Sequence, residues 1–113
     1  MGKTPESIYP NQRNNYEVLM QGFRQEFRVV EALTDPVSKR QALERLWKKL
    51  GDQVAVPIKI QTNLSYLRKV PENMRSKFVD YELQKLAAFT SEDRVKAYEY
   101  QIMINNALAE IHK

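Results

Sequence analysis

The stretch "LERLWKKLGDQVAVPIKIQTNLSYLRKV", residues 43–70, decides the fold of this chain. It reads as the end of one helix, a glycine, a short irregular apolar passage and a second basic helix. The apolar residues within 54–58 alternate as they would in a strand, but Pro57 interrupts them and no second strand follows to pair with them. We therefore interpret this passage as an extended linker that places apolar side chains in a helical core.

On both sides of this stretch, apolar residues recur every three or four positions, which is the period of amphipathic helices. Asp35 followed by Pro36 is a typical helix start, and Gly51 suits the position after a last turn. Thr90 and Asp93 have the spacing of a capping box, and Gly22 predicts the close approach of a neighbouring helix. The helices are predicted near residues 12–35, 36–50, 60–70, 71–90 and 91–112.

The predicted fold class is all-α: an irregular bundle of four main helices plus one short helix, with no sheet of consequence. The length of 113 residues, with 42% hydrophobic and 28% charged residues, fits one globular domain. Residues 1–11 contain two prolines and few large apolar groups, so we expect a flexible N-terminal tail. Residues 12–113 are expected to form a single helical domain.

The residue types argue against catalysis and metal binding. The chain has no cysteine and a single histidine, His112, so a zinc site and the usual nucleophile–base pairs are excluded. Carboxylates such as Glu82 fall on predicted solvent faces. We predict a protein that is not an enzyme and uses no cofactor or metal. With no long apolar run and no secretory signal, we expect it in the cytoplasm and not in a membrane.

The last predicted helix has two apolar sides, although a helix in a small bundle normally buries only one. One side contains Ile104 and the apolar residues that lie four or seven positions from it in the sequence. The second side lies nearly opposite. Either another helix of the same chain covers this second side, or a partner does. We predict a protein interface here, in a homodimer or in an adaptor to another protein, formed by Val95, Tyr98, Ile102 and Ala109.

The middle of the chain suggests an alternative function. Residues 36–79 carry ten basic and three acidic residues, a net charge of +7, whereas the two ends are slightly acidic. Such asymmetry favours an acidic partner, although lysines on a solvated helix face give the same pattern. The alternative is a helix-turn-helix-like nucleic-acid-binding module within residues 39–77, using Arg40, Arg45, Lys48, Lys49, Lys59, Arg68 and Lys69.

In that alternative, polar residues at the start of the second helix would face base edges: Gln61, Thr62, Asn63 and Tyr66. The passage between the two helices is longer than the usual three- or four-residue turn of such motifs. Pro57 also lies where the recognition helix would begin. The sequence therefore leaves open whether the basic residues bind phosphates or only face water.

Overall fold

The computed structural model describes residues 5–60 and 63–112, with side chains from Asn15 onward. These ranges contain four α-helices and no strand, which confirms the all-α prediction. Two short 3-10 helices lie between the second and third α-helices. In chain order the elements are α1 (Pro5–Ala32), α2 (Pro36–Gln53), the first 3-10 helix (Ile58–Ile60), the second 3-10 helix (Leu64–Lys69), α3 (Glu72–Thr90) and α4 (Arg94–Ile111).

Helix α1 begins at Pro5, earlier than the sequence predicted. Residues 5–11, expected to be part of a tail, are helical, and residues 1–4 lie outside the described residues. Once packing has formed a helix, each further residue adds one hydrogen bond without the cost of a new nucleus, so a polar segment can continue it. The packed part of α1 buries Met20, Phe23 and Val30. Gly22 is exposed, and a Cβ there would meet nothing within 4 Å, so the predicted close approach is wrong.

Helix α2 starts as predicted but ends later. The Asp35 carboxylate accepts hydrogen bonds from the Ser38 amide at 2.9 Å and from the Ser38 hydroxyl at 2.6 Å, with Pro36 in the first turn. These hydrogen bonds lower the pKa of Asp35. Gly51 does not end the helix, which continues through Gln53 to an extended cap at Val54.

The linker between α2 and α3 supplies apolar side chains to the core, as the sequence indicated. The predicted short helix at 60–70 is replaced by the two 3-10 helices. The buried residues of this segment are Val56, Ile60, Leu64, Leu67 and Val70. Since 3-10 helices repeat every three residues, Leu64, Leu67 and Val70 lie on one side of the second 3-10 helix and its end.

Helix α3 is the centre of the bundle and packs against α1, α2 and α4. The α1 contact includes the Arg24 guanidinium, which donates to the Thr90 carbonyl. The predicted capping box is wrong: Thr90 is buried at the end of α3 and its hydroxyl donates to the Leu86 carbonyl at 2.9 Å. The cap of α4 is Asp93, which accepts from the Lys96 amide at 3.0 Å. Among the described residues, no helix has the length and apolar character needed to cross a membrane.

Candidate interaction surfaces

Helix α4 meets the bundle with one side only. Ala97 and Ile104 are buried against the core, with the half-buried residues of that side packed around them. The opposite side, which we call the α4 outer face, consists of Val95, Tyr98, Ile102 and Ala109. These residues lie three, four and seven positions apart, so they share one face of the helix. This face points away from the core because Ala97 and Ile104, on the other side, are buried.

The α4 outer face is exposed in the described chain. Val95 exposes 72% of its surface, Ile102 47% and Tyr98 37%, and Ala109 is also exposed. Among the described residues, no other helix covers this face, which was one of the two explanations that the sequence left open. A single β-branched residue as exposed as Val95 or Ile102 is common on protein surfaces, but their regular spacing forms one apolar stripe.

One edge of the α4 outer face is bordered by the first 3-10 helix, which packs against α4. The Lys59 ammonium lies 5.4 Å from the centre of the Tyr98 ring. Interaction with the Tyr98 hydroxyl raises the pKa of Lys59. Lys59, predicted to contact nucleic acid, thus lies next to the predicted protein interface and contacts the Tyr98 side chain.

Beneath α4, a buried polar network joins four elements. The Lys85 ammonium lies 2.8 Å from the Glu82 carboxylate, and both side chains are fully buried. Lys85 also donates to Gln101 of α4 at 2.7 Å and lies 4.9 Å from the centre of the Trp47 ring of α2. The Tyr66 hydroxyl, from the second 3-10 helix, donates to Glu82 at 2.8 Å.

This network has shifted proton affinities and corrects one sequence interpretation. Burial, and then the Glu82 carboxylate, raise the pKa of Tyr66. Burial lowers the pKa of Lys85 against the opposing pull of Glu82. Glu82, placed on a solvent face by the sequence pattern, is instead the centre of the network. The signal was present in the sequence, since Glu82 and Lys85 continue the line of Phe78 and Phe89 at steps of four, three and four.

Three of the seven predicted nucleic-acid-binding residues are already engaged within the chain. Arg40 pairs with Glu44 at 3.4 Å. Lys49 pairs with Glu26 of α1 at 2.8 Å, and Lys59 lies over Tyr98. These contacts satisfy the three cations locally, so they are less available for phosphates than their charge suggests.

The other four residues are exposed and have no ion-pair partner among the described residues: Arg45, Lys48, Arg68 and Lys69. Their surroundings differ. Arg45 lies beside Lys49 at the junction of α1 and α2. Lys48 and Arg68 line a groove between α2 and the second 3-10 helix. Another hollow of the basic segment is lined by Lys39, Arg40 and Arg75.

The residues predicted to face base edges have other roles where they are described. Tyr66 is half-buried in the network around Glu82. The Asn63 side-chain carbonyl accepts from the Ser65 amide at 3.0 Å and caps the second 3-10 helix. Gln61 and Thr62 lie outside the described residues. Among the described residues, the segment at this place is a 3-10 helix, Leu64–Lys69, and not an α-helix.

Comparisons with protein-family models, curated proteins and solved structures found no match to this chain. The candidate surfaces are thus defined by geometry. They are the α4 outer face and the groove at Lys48 and Arg68, which lie on different elements of the bundle. In the described part of the chain, no group of three His, Asp or Glu side chains comes together in the way a metal site requires.

Proposed function

We propose that this chain is a small non-enzymatic interaction protein that assembles with a second copy of itself through the α4 outer face. The observation that carries the proposal is the exposure of Val95, Tyr98 and Ile102 in a helix whose other side is packed in the core. Covering such a stripe removes apolar surface from water, at about 25 cal/mol per Å². Symmetric dimers are the commonest way in which a soluble protein covers its own surface.

The spacing of the α4 outer face supports a second helix of the same kind as the partner. Val95, Tyr98, Ile102, Asn105 and Ala109 follow each other at alternating steps of three and four. This is the heptad spacing with which two helices pack along a seam. Val95, Ile102 and Ala109 take the first position of the heptad. Val95 and Ile102 are β-branched, as is common at this position in parallel coiled coils of two helices.

The charges beside the seam support the parallel arrangement. Arg94 comes directly before Val95, which takes the first position of the heptad. Glu99 comes directly after Tyr98, which takes the second apolar position. In a parallel pair these two positions of neighbouring helices face each other, so Arg94 of one copy comes near Glu99 of the other. Among the described residues neither side chain has an ion-pair partner, and Arg94 lies over the ring of Phe89 at the edge of α4.

The lack of cysteine allows a direct test by single-cysteine crosslinking. Facing residues at the first heptad position come within the Cα distance of about 4.4–6.8 Å that a disulfide needs. In a parallel dimer, Val95→Cys and Ala109→Cys should each crosslink to an identical chain under mild oxidation. Val18→Cys is the matched control, because Val18 exposes 68% of its surface on α1.

The outcomes separate the partners. Crosslinking of Val95→Cys above the Val18→Cys background, together with a dimer mass in light scattering, supports the parallel homodimer. Crosslinking only when Val95→Cys and Ala109→Cys are mixed gives an antiparallel dimer and rejects the parallel register. A monomer mass up to millimolar protein, with no crosslink above background, rejects self-association and leaves the α4 outer face to a different protein.

A further inference from the structure

A groove runs between α2 and the second 3-10 helix, on the part of the molecule where two basic residues remain unpaired. It has a volume of about 420 Å³, and its walls include Lys48, Arg68, Asn63 and Ser65. Trp47 lies along it. Past Trp47, Lys48 and Asn63 the groove continues into a second hollow of about 450 Å³.

The walls of this groove supply hydrogen-bond donors from several directions. Lys48 and Arg68 have no ion-pair partner among the described residues. Asn63 uses its carbonyl oxygen to cap the second 3-10 helix, which leaves its amide protons, and Ser65 adds a hydroxyl. The carboxylate beside them, Glu44, is paired with Arg40, and Asp52 lines the second hollow.

The indole N–H of Trp47 is a further donor without an acceptor. Trp47 exposes only 6% of its surface, and its N–H has no hydrogen-bond partner in the described chain. Most buried donors are paired, so an orphan N–H on a side chain that lines a groove is a notable exception. Because this nitrogen is itself buried, the donors that a ligand in the groove could reach are those of Lys48, Arg68, Asn63 and Ser65.

We propose that this groove binds a phosphate group, carried by a nucleotide or by a nucleic-acid strand. A phosphate offers three or more oxygen acceptors and a negative charge, which match two cations and several neutral donors better than a carboxylate does. Of the seven basic residues that the sequence predicted to bind nucleic acid, this proposal uses only Lys48 and Arg68. This proposal does not depend on self-association through α4.

The chain provides its own reporter for the test, because Trp47 is its single tryptophan and lies along the groove. Trp47 fluorescence is followed while inorganic phosphate, adenosine monophosphate or a short single-stranded oligonucleotide is added, at low and at moderate salt. A saturable change is the expected result. The Lys48→Gln and Arg68→Gln variants should each weaken binding about tenfold, as expected for the loss of one charge-assisted contact.

Arg45→Gln and Lys69→Gln are the matched controls, because each removes one exposed, unpaired cation that does not line the groove. They should change the affinity for the mononucleotide by less than about twofold, since an exposed charge that makes no direct contact with the ligand contributes little in water. Circular dichroism confirms that all four variants stay folded.

Each outcome decides the proposal. Saturable binding of phosphate or of the mononucleotide supports the groove as a site for free phosphate ligands. Binding of the oligonucleotide alone, with a steep salt dependence, supports a strand as the source of the phosphate. Equal losses in the groove variants and the controls would mean unspecific charge attraction and overturn the site. Unchanged Trp47 fluorescence with every ligand, at both salt concentrations, would overturn it as well.

Discussion

Helices α3 and α4 have nearly the same length, 19 and 18 residues, and both carry apolar residues on more than one side. Their surroundings differ. Nine residues of α3 are buried, because α1, α2 and α4 all pack against it. Only Ala97 and Ile104 of α4 are buried, because α4 packs mainly on α3 at the edge of the bundle.

Apolar residues on two sides of a helix therefore indicate different things at the centre and at the edge of a bundle. At the centre of a bundle, the second side is core, and even charged residues such as Glu82 and Lys85 become buried there. At the edge, the second side stays exposed and is available to a partner. Packing between distant segments sets the position of a helix in the bundle. This position decides whether the second apolar side is buried or exposed.

The largest effect is expected from a substitution in the buried ion pair of α3, Glu82 with Lys85. Lys85→Met leaves the Glu82 carboxylate buried without its cation, and removal of one partner of a buried pair lowers the free energy of unfolding by about 3–5 kcal/mol. Urea denaturation measures this loss. The matched control on the same helix is Lys77→Met, whose exposed ammonium lies near Tyr81; we expect a change within about 0.5 kcal/mol.

The double variant Lys85→Met with Glu82→Leu separates charge from packing. Replacing both partners by apolar residues is often neutral, so most of the lost stability should return. If the double variant is as unstable as Lys85→Met alone, the loss comes from the packing of the Lys85 side chain and not from an unpaired carboxylate.

A matched pair of truncations tests the comparison itself. Leu86→Ala removes a fully buried side chain from α3 and should lower the free energy of unfolding by about 2–5 kcal/mol. Ile102→Ala removes a half-exposed side chain from the α4 outer face. Measured in dilute protein, where the monomer dominates, it should change stability by less than about 0.5 kcal/mol.

The same Ile102→Ala variant should weaken self-association at higher concentration by about tenfold, since truncation of a central interface residue commonly removes more than 1 kcal/mol of binding. Sedimentation equilibrium gives the dissociation constant. A large loss of monomer stability without a change in association would make Ile102 part of the core and remove the distinction between the two helices.

Much of this architecture could be predicted from local signals. The period of apolar residues gave the four main helices, and Asp35 with Pro36 gave the start of α2, because caps and periodicity act within a few residues. The end of α2 and the start of α1 were missed for the complementary reason. Gly51 is tolerated in a helix that packing holds, and the polar residues after Pro5 can follow a helix that has been nucleated further along the chain.

The candidate sites were harder to predict because they depend on contacts between distant segments. Val95, Tyr98, Ile102 and Ala109 were recognised as one face from spacing alone, but their exposure depends on where α4 lies. The division of the basic residues depends on acids far away in sequence, such as Glu26 opposite Lys49. Likewise, Lys48 and Arg68 share a groove only because the linker returns beside α2.

The proton affinity of Tyr66 gives a smaller test of the same buried network. Because burial and Glu82 raise the pKa of Tyr66, the native state keeps its phenol proton while an unfolded tyrosine loses it above pH 10.0. The unfolded state then binds fewer protons, so stability falls as the pH rises through and above that value. The fall should be about 1 kcal/mol between about pH 9 and about pH 11, reduced from the full linkage value by partial exposure of the ring.

Tyr66→Phe is the control, because it removes the phenol and keeps the ring against Phe78. Denaturation curves at both pH values should show the extra alkaline loss in the original chain and not in this variant. Every ionisable group other than the Tyr66 phenol is present in both proteins, so the comparison isolates the contribution of that phenol. Equal pH dependence would mean that the Tyr66 hydroxyl is not held by Glu82 and that the network ends at Lys85.

The smallest effect is expected from a substitution that changes helix propensity without changing the packing that distinguishes α3 from α4. Gly22 is exposed in the middle of α1, and an added Cβ would meet nothing within 4 Å. Gly22→Ala should therefore raise the free energy of unfolding by about 0.5–1 kcal/mol, because alanine loses less backbone entropy in a helix. Thermal denaturation detects such a shift. A decrease in stability would show that another segment approaches Gly22 closely, and α1 would then have a covered side of its own.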